Sequence, residues 1–533
     1  MGDRFCHAPV VTIDTPDWVR DAVFYQIFPD RFAASDRVAK PGPLEPWDDP
    51  PTVNGFKGGD LLGVVERLPY LADLGVTALY LTPVFASASN HRYHTYDYFA
   101  VDPLLGGNEA LRELLDVAHA RGMRVILDGV FNHTGRGFWA FHHVLENGAA
   151  SPYRHWFHFD QSALDAGMPV LAYPVAAGRN GGVGLDEPSV GQDAPGGDGS
   201  WSMRRLGFRA WWDLPALPKL NTDNPAVREH LLSVAEHWIR FGVDGWRLDV
   251  PAEIRDETFW QEFRRRCRVA NPEAYLVGEV WHVGREWVAG DRFDALMNYP
   301  LAEAILSFAG GAHLDDEVVR GHHEYGPNVG RVDGVTFARR LVELRDAYDP
   351  AVVAVQLNLL DSHDSPRVHS LVSGDRAAYR LAVLLQATLP GAPCVYYGDE
   401  IGLEGRNDPD SRRSFPSDET AWDRELLAFV SAAFRVRHEE AALRRGDLRI
   451  AGAAGDAMAY ERRLGNERVL VVLNAGEEAA TVEVSLPEAA DGALVDLDLP
   501  WPDATGAADR PFIAEGAARI PLAPRTGRLF RVR

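Results

Sequence analysis

Cysteine is scarce. The chain has three in 533 residues, Cys6, Cys267 and Cys394, an odd number set far apart. That argues against a disulfide framework or a cysteine metal site and fits a reducing cytoplasm. No uninterrupted apolar run reaches the 18 or so residues of a membrane span. The opening MGDRFCHAPVV has neither the charged nor the apolar region of a signal peptide. Positive charge is in short supply, with 54 Lys and Arg against 77 Asp and Glu, a formal charge of −23. Nucleic acid and anionic membranes both require a basic footprint, so neither fits as a partner. No internal repeat is evident. What remains is ordinary globular composition, 46% hydrophobic and 25% charged, in a chain long enough for several domains or for an α/β barrel with additions.

Short β-branched or aromatic runs alternate with helix-like segments as far as about residue 440. Strands are predicted at 22–28, 77–82, 123–130, 243–249 and 275–280, with weaker signals at 293–298, 355–362 and 393–398. Amphipathic segments such as 108–122 and 225–242 lie between them, each stopped by glycine. Eight strands with helical crossovers is the count of a (β/α)8 barrel, an α/β fold; a doubly wound open sheet is the alternative. The pattern predicts a catalytic barrel from 1–132 and 216–442, an inserted subdomain at 133–215 after the third strand, and a C-terminal antiparallel β-sandwich at 443–533. The insertion is too long for a βα loop and contains a Gly-dense stretch at 178–199, readable as a flap or a solvated linker. The terminal region alternates in runs separated by Gly, Asp and Pro turns.

Four segments carry polar residues at the C-terminal ends of predicted strands, where barrel enzymes keep their chemistry: DGVFNH (128–133), GWRLDV (245–250), GEVW (278–281) and DSHD (361–364). A carboxylate directly after apolar strand sequence, such as Asp249 or Glu279, must be paired or used; helix caps and buried salt bridges are the plainer alternatives. Arg247 and Asp249 are two apart on one strand and share a face. The guanidinium is expected to depress the pKa of Asp249 and keep it ionised as a nucleophile. Glu279, flanked by Val277, Val280 and Trp281, is expected to have its pKa raised by apolar surroundings, as a general acid requires. Such a pair, about 5–5.5 Å apart, is what retaining glycoside hydrolysis needs. Asp364 adds a third carboxylate on the same rim.

In order and spacing these four segments resemble the conserved regions of the α-amylase family, glycoside hydrolase family 13, across roughly residues 20–440. The resemblance implies Asp249 as nucleophile, Glu279 as acid/base and Asp364 as transition-state stabiliser. It implies sugar-binding roles for His133 and His363, an orienting role for Arg247, and a structural role for Asp128. Tyr93, in NHRYHTYDY, resembles a tyrosine that stacks on the attacked sugar. LPKLN (217–221), MNYPL (297–301) and YYGDEIGLEGRNDPDSRR (396–413) resemble the cyclomaltodextrinase, neopullulanase and maltogenic amylase branch. That branch implies cleavage of α-1,4 or α-1,6 bonds in cyclic or short malto-oligosaccharides such as cyclomaltodextrins, pullulan fragments and cyclic maltosyl-maltose. The alternatives are a transglycosylase using the same intermediate and a non-catalytic carbohydrate-binding homologue.

Departures accompany the likeness. The branch usually carries an N-terminal β-domain used in dimerisation, whereas here about twenty residues precede the first strand, so a homodimer would form by another mode. Val250-Pro251-Ala252-Glu253 stands where the branch has VANE, retaining Glu253 as a substrate-binding candidate, and His94 replaces a usual Asp. Trp281, Trp211, Trp212 and Phe208 are candidate stacking platforms, with stapling of the insertion to the barrel as the other reading of the Trp211–Trp212 pair. Catalysis in the family needs no cofactor. Many relatives hold a structural calcium, for which Asp36, Gly58 and Asp60 remain as candidate positions. Lys40, where an oxygen ligand is expected, leaves that set thin for an ion that takes 6–8 oxygens.

Overall fold

The computed structural model describes residues 13–174, 200–501 and 511–532; Cys6 and the Gly-dense stretch 178–199 lie outside them. Eight parallel strands form one sheet: β1 (Phe24–Ile27), β2 (Ala78–Leu81), β3 (Arg124–Gly129), β4 (Gly245–Leu248), β5 (Tyr275–Gly278), β6 (Ala295–Leu296), β7 (Leu357–Leu359) and β8 (Ala392–Tyr396). Pairing runs β6-β5-β4-β3-β2-β1-β8-β7, and a parallel bridge between Met297 and Leu357 joins the two outer strands, closing the barrel. Seven of the eight strands are buried at every residue and β3 at all but Arg124, as expected for strands covered on both faces. Gly245 is required at the β4–β5 contact, because a Cβ there would come within 2.1 Å of the Tyr275 carbonyl oxygen.

The crossovers follow local capping chemistry. Helix α1 (Leu61–Leu74) starts at Asp60, whose carboxylate accepts from the Gly63 amide, and ends at Gly75 in the left-handed region (φ 95°). Helices α2 (Gly107–Ala120) and α3 (Pro225–Phe241) follow β2 and β3. Asn224 caps α3 ahead of Pro225, and Gly242 stops it at φ 113°. Then come α4 (Glu257–Ala270), α5 (Tyr299–Gly310), α6 (Gly334–Asp346), α7 (Arg376–Thr388) and α8 (Arg424–Glu439). Between β5 and β6 the expected helix is replaced by a single 3₁₀ turn, Arg285–Val288. Only 16 residues separate those strands, too few for a full helix and its two turns.

Between β3 and α3, an aromatic core of Phe138, Phe141, Phe157, Phe159 and Phe208 organises the described part of the insertion. The LPKLN segment stitches it to the barrel through bridges His133–Lys219, Phe157–Leu220 and Ala210–Pro218. Phe208 is fully buried in that core, so it is no stacking platform. After α8 the strands β9 (Asp447–Ala454), β10 (Ala457–Leu464) and β11 (Glu467–Asn474) pair antiparallel. A second layer, β12 (Ala480–Ser485) with β13 (Ala517–Leu522), packs on them through Val472, Val482, Val484 and Ile520, and β14 (Thr526–Val532) extends the first sheet between β11 and the short strand Val495–Asp496. No helix among the described residues is long and apolar enough to cross a membrane.

Candidate active site

The ladder carries the acids to the rim. The Asp249 amide donates to the Gly129 carbonyl and the Glu279 amide to the Leu248 carbonyl, so both residues sit one step beyond the ends of β4 and β5. Arg247, fully buried, gathers them. Its Nη1 donates to both oxygens of Asp128 (2.8 and 3.0 Å) and to Oδ1 of Asp249 (3.0 Å). Its Nη2 lies 2.9 Å from Oε2 of Glu279, without hydrogen-bond alignment, and 4.0 Å from Asp364. Its Nε faces the Met297 sulfur at 3.4 Å. Asp128 also accepts from the hydroxyls of Tyr80 and Tyr93 at 2.8 Å, which makes it the fixed bearing of the cluster.

The remaining groups close round this core. His363 is held by Gln26 (2.8 Å), stacks on Tyr93 with the rings 8° from parallel, and contacts Asp364 Oδ2 at 3.0 Å. Arg412 donates to Asp364 Oδ1 (3.2 Å) and to the His363 carbonyl (2.8 Å). Glu279 accepts from the Val250 amide at 3.0 Å and from the Trp281 indole at 3.3 Å. Trp281 lies flat on Tyr299, with ring centres 3.5 Å apart. The Asp364 side chain is 31% exposed and those of Asp249 and Glu279 only 8% and 6%.

Glu253 and His133 form a second group. Lys219 bridges Glu253 and Asn132, each at 2.7 Å, and the His133 Nδ1 lies 3.2 Å from the Asn132 amide nitrogen. The His133 ring stacks on Trp211, its Nε2 buried and without a partner. Burial, with His94 and Lys219 nearby, pushes the His133 imidazole down to about 3, so the ring is neutral. Trp211 is thus tied to His133, whereas Trp212 is 45% exposed and meets His323 edge-on; His323 in turn lies 6.4 Å from Trp281. His322, His323, Tyr299, Arg412 and Lys219 were not singled out from sequence. Three of them lie in the quoted segments LPKLN, MNYPL and the stretch before Arg413, but nothing marked the two histidines.

Electrostatics correct one expectation. Burial raises both Asp249 and Glu279, and for each the opposing pull of Arg247 is outweighed. Glu279 thus behaves as expected, but Asp249 is not depressed. Its neighbours include Glu279, Asp128 and Asp364 as well as Arg247, and one guanidinium cannot neutralise so many buried carboxyls. Asp364 is the depressed member: burial pushes it up, but His363, Arg412 and Arg247 together hold it below the usual carboxylate range.

The calcium candidates do not fit that ion. Lys40 Nζ donates to Asp60 Oδ2 (3.0 Å) and to the Leu104 carbonyl (2.7 Å), so an ammonium group already occupies the oxygens a cation would use. The other Asp60 oxygen caps α1, and Asp36 is exposed at the surface. Among the described residues no group of three or more His, Cys, Asp or Glu is arranged for a metal.

Comparison with known proteins places this geometry in context. A profile described as alpha amylase, catalytic domain, matches residues 26–444. A cyclomaltodextrinase from Geobacillus thermopakistaniensis is 39% identical over 92% of this chain and 74% of its own. The crystal structure of a debranching enzyme from Nostoc punctiforme matches with TM-score 0.82 and 42% identity, covering 98% of this chain and all of that one. A cyclic α-maltosyl-(1→6)-maltose hydrolase from Arthrobacter globiformis, in complex with that sugar, matches with TM-score 0.78 and 35% identity over 97% of this chain and all of its own.

Proposed function

The chain belongs to the α-amylase family, and from that premise we propose that it is a retaining α-glucan hydrolase acting on cyclic or short malto-oligosaccharides, at α-1,4 or α-1,6 bonds, in the cytoplasm. The observation that carries the reading is the single guanidinium of Arg247 spanning Asp128, Asp249 and Glu279 beside the partly exposed Asp364. Two buried carboxyls that both resist ionisation share one proton readily. An acid and a nucleophile require that state. Asp249 accepts an aligned hydrogen bond from Arg247, and Glu279 accepts from the Val250 amide and the Trp281 indole, so the assignment of Asp249 as the anion and Glu279 as the acid follows the family's motif pattern, not these contacts.

Glu279 gives its proton to the glycosidic oxygen while an Asp249 oxygen attacks the anomeric carbon, breaking the carbon–oxygen bond and leaving a β-linked glycosyl ester. Glu279, now ionised, takes a proton from water. That water cleaves the ester, freeing Asp249 and a sugar of α configuration. Asp364, ionised and held between His363 and Arg412, accepts hydroxyls of the distorted sugar, and Tyr93 and Trp281 supply apolar ring faces. Each step balances without a metal or cofactor. The described insertion, within 133–215, shapes the mouth of the site through Trp212.

Asp249→Asn or Glu279→Gln should lower turnover on cyclomaltodextrins, pullulan and cyclic maltosyl-maltose by a factor of about 10³ or more with the melting temperature nearly unchanged. Near-normal turnover in either variant, or a β sugar as first product by NMR, removes the mechanism. Product profiles at low and high substrate concentration separate hydrolysis from transfer.

A further inference from the structure

At the opposite end of the barrel, where the strands begin and the C-terminal sandwich packs, lies a cavity of about 470 Å³. Five guanidiniums line it, from Arg20, Arg345, Arg444, Arg445 and Arg462, with only Asp346 and Asp447 as acids. Asp17 and Asp21 behind the wall pair with Arg20, Arg444 and Arg445, and Asp346 with Arg345. Arg462 is different. It is 1% exposed, and its guanidinium donates only to carbonyls, those of Gly446 and Thr388. Directly behind it Arg437, fully buried, donates to the carbonyls of Ala387, Gly391 and Arg20. Neither makes an ion pair among the described residues, and the Nε atoms of Arg20, Arg437 and Arg444 are buried without acceptors.

Six guanidiniums therefore meet four carboxylates at this seam, in a protein whose overall charge is −23. Carbonyl dipoles satisfy N–H groups but do not cancel a buried charge. The strain registers on the cations themselves. Burial, with Arg462 and Arg444 close by, pushes Arg437 down to about 9, and burial pushes Arg462 down to about 10. A structural core alone would be served as well by apolar side chains of similar volume.

We propose that this cavity is a binding site for a phosphate group, held by the forks of Arg20, Arg345 and Arg444 over the charge of Arg462. Guanidinium forks match phosphate oxygens in pairs, and the surplus of positive charge supplies the attraction that the rest of the surface withholds. The volume exceeds that of inorganic phosphate, so a phosphate ester of a small sugar fits as well as the free ion. The site is remote from Asp249 and stands independently of the proposed reaction.

The test is calorimetric titration of the whole chain with inorganic phosphate and, separately, with glucose 6-phosphate, against sodium chloride of equal ionic strength and pH. Saturable one-site binding at about 1 mM or tighter is expected, weakened at least about tenfold in Arg20→Gln/Arg345→Gln. Both of those side chains are about one-third exposed, so the variant should melt in chloride as the parent does. Should the double variant fold poorly, Arg345→Gln alone serves. Tighter binding of the ester than of the free ion makes a sugar phosphate the ligand, and equal binding makes it the phosphate ion. Titrations that never saturate, or that are equal in parent and variant, are a bulk salt effect and overturn the site.

Discussion

At the scale of single residues, the backbone just after Asp249 does more than connect. Val250 lies at φ 35°, ψ 53°, left-handed territory that a β-branched residue enters only at a cost of about 1–3 kcal/mol. That conformation aims its amide at Glu279, 3.0 Å away. Val250→Gly removes the strain and frees the amide. The expected result is a melting temperature equal to or above the parent's together with a clear loss of kcat, read by calorimetry and steady-state kinetics; a loss of both would mean that Val250 serves packing alone. The residue scale is also where sequence misled. Asp249 and Glu279 were legible as candidates because each directly follows apolar strand sequence, and Asp364 because it closes the DSHD motif on the same rim. The rise of Asp249 was not, since it depends first on burial and then on Glu279, Asp128 and Asp364 arriving from three other strands. His322, whose Nε2 donates to the Asp364 carbonyl (3.0 Å), has no neighbouring motif to betray it.

At the scale of elements, the apolar runs and glycine punctuation located the strands, and each predicted strand overlaps an observed one, because buried parallel strands are written as apolar runs; closure into a barrel as against an open sheet was not legible from them. The 3₁₀ turn after β5 escaped, since periodicity over so few residues cannot separate a turn from a helix. The insertion was legible as an interruption but not as a shape. Its tip is held by consecutive left-handed residues, Trp212 (φ 52°) and Asp213 (φ 59°), with the Asp213 carboxylate accepting the Ser202 amide at 2.8 Å. A strained turn that leaves Trp212 45% exposed toward His323 is poor packing and good presentation. Trp212→Ala should raise KM for malto-oligosaccharides about three- to tenfold, the worth of one stacking contact, with little change in kcat or melting temperature. An unaltered KM would return Trp212 to a stapling role. In the loop after β1, Lys40 fills the cation position, so EDTA should not shift the melting temperature, and a drop of several degrees would locate a metal elsewhere in the chain.

At the scale of the whole molecule, buried titratable groups set two opposing dependences of stability on pH. Buried acids raised by burial, including Asp30, Asp361, Asp399 and Glu400, keep their protons in the fold longer than in the unfolded chain, so what they contribute is lost as pH rises. Buried histidines act the other way. His369 is 3% exposed, and its Nε2 lies 3.1 Å from the Asp399 carbonyl. Burial, aided by Arg367 against that hydrogen bond, pushes it from 6.5 down to about 4. Between those two values the unfolded chain binds a proton that the fold refuses, and stability falls as pH falls. Because the two classes oppose, the net slope of the parent isolates neither, but a difference does. His369→Asn keeps a neutral polar group at the site. The stability gap between parent and variant should be constant above pH 6.5 and shrink below it by up to about 1.4 kcal/mol per unit, down to about pH 4, as measured by denaturant titration at each pH. A gap that holds constant across that window would mean that His369 is charged in the fold, and that its cavity is wetter than the packing of Tyr379 4.2 Å from its ring allows.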